Sequence, residues 1–181
     1  MYWILELFLL KCSMINESLH FIAGQLNAHF KTFLNISEDK FMVSNLVNAD
    51  GSVPAQIENT TVICMYGCEE EIQLRNASFV RNQTGGPIMT QAPPLNLNIS
   101  ILICANFQSY SESLQIISEA FSFLRNQTFF DGQQINSLNH RIARLIVEHE
   151  NLSVENSYQV WSMLGAKYRP ALNYKIRVIG A

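Results

Sequence analysis

Residues 95–104, Leu-Asn-Leu-Asn-Ile-Ser-Ile-Leu-Ile-Cys, place an apolar side chain at every second position until the run becomes continuously apolar. Period-two alternation is the pattern of a half-buried strand, and the continuous end predicts burial on both faces from Leu102. An earlier run, Thr61-Val-Ile-Cys-Met-Tyr-Gly-Cys-Glu-Glu-Glu-Ile-Gln-Leu-Arg-Asn, passes from apolar to acidic and then meets a Gly/Pro-rich stretch. The two runs predict paired strands of one sheet with charge gathered at one end, which reads as a binding edge rather than a catalytic pocket. In the earlier strand, 60–72, Val62, Cys64 and Tyr66 face one way and Ile63 and Met65 the other, so both sides need cover from helices.

Those helices are legible on either side of the pair. Ile15, Leu19, Ile22, Leu26, Phe30 and Phe33 recur at three and four, one face of a helix over 15–34. Leu114, Ile117, Phe121 and Leu124 form a similar stripe over 110–126, with Ser109 or Ser111 as its cap. Ser153 opens a third helix that runs to Leu164 and stops at Gly165. Short strand character appears at 41–43, a strand with imperfect alternation at 141–151, and an edge or near-edge strand with one wet face at 171–179. Residues 77–94, which contain Gly85-Gly86-Pro87 and Pro93-Pro94, read as a loop of the length that carries function. The expected fold is α+β, close to α/β: a single mixed sheet of about four to five strands covered by helices.

At 181 residues the chain suits one domain, because a chain of this size buries about 70% of its unfolded surface in a single core. Hydrophobic residues make up 48% and charged residues only 15%, and surplus apolar surface points to a partner. With net charge -3 and scattered Lys and Arg, the chain has no field to attract phosphate backbones, so nucleic acid is not an expected partner. The opening Met1-Tyr-Trp-Ile-Leu-Glu-Leu-Phe-Leu-Leu is half the roughly 20 apolar residues a membrane span needs, and Glu6 interrupts it. A secretory signal is disfavoured, since Lys11 follows the apolar run and Cys12-Ser13-Met14 makes a poor cleavage site. Residues 1–13 are taken as an upstream start or an extension, and 14–181 as the single domain. Asn-x-Ser/Thr triplets are frequent, but the chain is rich in Asn and one triplet begins at Asn98 within a strand, so chance accounts for them.

Reaction centres are not evident. Cys12, Cys64, Cys68 and Cys104 lack paired CxxC spacing and read as reduced, buried thiols. Cys64 and Cys68 on one strand face are expected roughly 13 Å apart, too far to share a zinc ion. His20, His29, His140 and His149 include no i, i+4 pair. Glu69-Glu70-Glu71 point alternately with no His or Lys nearby in sequence, so a solvated strand end competes with contact to a basic patch on another subunit, Arg75 serving as a second anchor. Gly85-Gly86-Pro87 lacks the Lys-Ser/Thr of a phosphate loop, and Trp161 is either an interface anchor or a helix side chain packed on its own sheet. No nucleotide, hydrolase or zinc-protease fingerprint occurs, and no cofactor or metal is expected.

The order of pieces carries a resemblance. An amphipathic start from Met14-Ile15 is followed by Glu71 through Leu74-Arg75-Asn76, a Pro-rich loop, Pro94-Leu-Asn-Leu-Asn-Ile-Ser-Ile-Leu, and Tyr110-Ser-Glu-Ser-Leu114 opening a helix. Leu152-Ser-Val-Glu, Trp161-Ser-Met-Leu-Gly165 and Leu172-Asn-Tyr-Lys-Ile-Arg-Val complete it. This order, over residues 14–180, resembles the cap, or tail-terminator, family of extracellular contractile injection systems, the phage-tail-like particles of bacteria. It departs from the family's pattern at Ile103-Cys104, where an aromatic pair is usual, and in the residues before Met14. The resemblance implies a structural role without enzymatic activity: a hexameric ring of copies that ends the inner tube and sheath away from the baseplate. It also implies assembly in the bacterial cytoplasm and presence on a particle that can leave the cell. Glu69, Glu70, Glu71, Leu74, Arg75, Asn76, Gly85, Gly86, Pro87 and Trp161 are the candidate interface. A small cytoplasmic module with a sheet-based ligand or peptide site is the alternative.

Overall fold

The computed structural model describes residues 2–71, 95–132 and 142–180, with side chains from residue 14 onward. The elements in chain order are helix α1 (Tyr2–Leu34), strand β1 (Phe41–Val43), a 3-10 turn (Ala55–Ile57), β2 (Thr60–Glu70), β3 (Asn96–Asn106), α2 (Tyr110–Asn126), β4 (Phe129–Asp131), β5 (Ile142–His149), α3 (Val154–Leu164) and β6 (Ala171–Gly180). The strands form one curled mixed sheet in the order β1-β2-β3-β6-β5-β4. Only β1 and β2 run parallel, and the remaining neighbours are antiparallel.

Strand alternation sorts the apolar residues into two cores. On one face Leu97, Ile99, Ile101 and Ile103 of β3, with Tyr174, Ile176 and Val178 of β6, pack against α1 and α2. On the other, Val62 and Cys64 of β2 and Leu102 and Cys104 of β3 pack beneath Trp161 of α3. The double-sided burial expected from Leu102 onward is present. Helix α1 buries Met14, Ser18, Ile22, Leu26 and Phe30, each one turn from the next, and Ser18 satisfies its buried hydroxyl by donating to the Met14 carbonyl at 2.7 Å. Ser109 and Ser153 cap α2 and α3 as expected, accepting from the amides of Glu112 and Asn156, and Gly165 ends α3 at φ 64°.

Several expectations are corrected. Among the described residues the sheet has six strands rather than the four to five expected, because Phe129–Asp131 pairs with β5. β6 keeps its wet face but lies inside the sheet, flanked by β3 and β5, so it is not an edge. The imperfect alternation of β5 is a register shift between Ile142 and Arg144. A second shift, between Met65 and Gly67, inserts one residue into β2. Cys64 therefore stands opposite Leu102 and Cys68 opposite Ile99, on opposite faces rather than one, and Cys68 is exposed rather than buried. On the helices, Phe33 and Leu114 leave the expected stripes and are exposed, while Ser113, Ile116 and Ala120 fill the buried side of α2. α1 begins at Tyr2, earlier than the apolar pattern from Ile15 indicated.

Candidate interface

Among the described residues, the face of the sheet opposite α1 and α2 is only half covered. α3 shields the apolar end, and beyond it the same alternation that buries Leu102 and Cys104 presents Asn98, Ser100, Lys175 and Arg177. Acidic residues from neighbouring strands meet these cations. Arg177 Nη2 lies 3.2 Å from Glu71 Oε1, Arg177 Nη1 lies 3.9 Å from Glu148, and Lys175 Nζ lies 3.7 Å from Glu150. Tyr66, displaced by the bulge in β2, donates its hydroxyl to Glu150 at 3.1 Å. Partly exposed pairs of this kind contribute about 0–1 kcal/mol each, so they order the surface more than they stabilise the fold.

The candidate residues separate on this geometry. Glu69 stands opposite Asn98 and Glu70 opposite Leu97, so the two point to opposite sides at the exposed end of β2. Glu71 continues the pairing through its amide, which donates to the Asn96 carbonyl at 3.1 Å, while its carboxylate is held by Arg177 of the same chain. Trp161 is 8% exposed and belongs to the smaller core, with the Tyr168 ring 5.4 Å away. Leu74, Arg75, Asn76, Gly85, Gly86, Pro87 and the whole 77–94 loop lie outside the described residues. Sequence reading missed Arg177, Lys175, Glu148 and Glu150. The available signal was two alternating runs of opposite charge, but pairing them required the strand order.

Among the described residues, a side-chain amide meets each edge of the sheet. In β1, the Lys40 carbonyl and Ser44 amide bond to β2, which turns the Phe41 backbone groups outward. Asn27 of α1 meets both: its Nδ2 donates to the Phe41 carbonyl at 2.8 Å, and its Oδ1 accepts from the amides of Lys40 and Phe41 at 2.9 and 2.8 Å. At the opposite edge, Gln127 Nε2 donates to the Phe129 carbonyl at 2.9 Å. Open strand edges invite pairing with other chains, and these two amides occupy part of each.

Burial pushes the Cys64 thiol up to about 11, and burial, then the neighbouring Cys64, pushes Cys104 up to about 12, so both stay protonated and unreactive at neutral pH. Burial followed by the Glu150 carboxylate raises Tyr66 to about 12. His29 is packed against Phe123 at 4.6 Å and bonded to Glu119 at 2.7 Å, and His149 sits between Phe121 and Tyr174. Among the described residues no group of three His, Cys, Asp or Glu side chains is arranged to hold a metal ion, and no helix is long and apolar enough to cross a membrane.

A family match decides the placement, covering residues 19–180 with the Pvc16 N-terminal domain. The chain belongs to the Pvc16 N-terminal domain family. Two solved structures resemble this Pvc16 N-terminal domain. One is the sheath/tube terminator of PVC, an extracellular contractile injection system, in its extended state: 18% identity, 86% of this chain and 55% of that chain covered, TM-score 0.43. The other is the tube-terminating cap of the anti-feeding prophage: 16% identity, 77% of this chain and 48% of that chain covered, TM-score 0.41. The Pvc16 N-terminal domain chain thus spans about half the length of these structures. No curated protein matches it.

Proposed function

We propose that this chain is a structural cap, a tail terminator that joins other copies in a hexameric ring and closes the inner tube and sheath of a contractile injection system away from the baseplate. The observation that carries this reading is membership of the Pvc16 N-terminal domain family across residues 19–180. Assembly takes place in the bacterial cytoplasm, and the cap stays on the finished particle if that particle is released. Its partners are further copies of itself and the sheath and tube proteins, and it makes and breaks no bonds. A growing polymer presents unsatisfied rims to the next layer, and a terminator must satisfy one rim while offering little for further addition. The amides of Asn27 and Gln127 on the two sheet edges fit that requirement.

The test is removal of the chain from cells that make the particles, followed by electron microscopy. The expected result is a broadened length distribution with open ends, restored by resupplying the chain. Unchanged particle lengths, together with its absence from purified particles, would reject the cap role.

A further inference from the structure

We draw no further inference here: the strongest candidate, the polar patch on the sheet face opposite α1 and α2, carries nothing further, because its cations Arg177 and Lys175 are already paired with Glu71, Glu148 and Glu150 of the same chain and nothing among the described residues shows what covers it.

Discussion

Asn27 is the residue on which the sheet edge depends. Its side chain makes three hydrogen bonds to the backbone of Lys40 and Phe41, across 13 and 14 positions in sequence, and so ties α1 to β1. Asn27→Ala removes the partner and keeps the partly buried backbone groups, which costs about 1–3 kcal/mol. Urea denaturation should show that loss, and light scattering should show self-association through the opened edge, whereas Asn27→Asp retains the acceptor and loses less. The buried thiols give a second expectation at this scale. In the folded state Cys64 and Cys104 hold their protons to about 11 and about 12, against an ordinary value of 9.0. Above 9.0 the unfolded chain releases protons that the folded chain keeps, so their stabilising contribution is complete below 9.0 and disappears as pH rises toward 12. Melting temperatures measured from neutral to alkaline pH should fall across that window, and less steeply in Cys104→Ala. A flat profile in the parent chain would contradict the assigned burial.

At the scale of elements, two glycines separate helix propensity from helix termination. Gly24 lies within α1, and an added Cβ there meets nothing within 4 Å. Gly24→Ala should stabilise the protein by about 0.5–1 kcal/mol through reduced backbone freedom in the unfolded chain. Gly165 ends α3 at φ +64°, where a Cβ approaches the following carbonyl whatever space surrounds it. Gly165→Ala should cost roughly 1–2 kcal/mol. Denaturant midpoints of the two variants should move in opposite directions, and shifts of the same sign would refute this account. The sequence already showed why α3 starts at Ser153 and stops at Gly165, since capping depends on the few residues at each end. It did not show the bulge at Tyr66, which turns Cys68 to the opposite face, because a bulge is defined against the partner strand.

For the whole molecule, the sheet face opposite α1 and α2 is only half covered by the described residues. Glu69 lies at the exposed end of β2, and the proposed cap role assigns its charge to docking. Glu69→Lys should leave the melting temperature within about 1–2 °C of the parent, an effect within about 0.5 kcal/mol, and should release the protein from particles on co-sedimentation. Retained co-sedimentation would remove Glu69 from the interface. Much of the architecture was written locally: the period-two run that became β3, the helical stripe from Ile15, and the serine and glycine caps each follow from steric and hydrogen-bonding preferences within a few residues. Tertiary structure alone decided that β6 lies inside the sheet, that Phe129–Asp131 adds a sixth strand, and that Glu71 meets Arg177 across 106 positions. Alternation fixes which way a side chain points, but which strand lies beside it is chosen by the packing of the entire core, and no short segment contains that information.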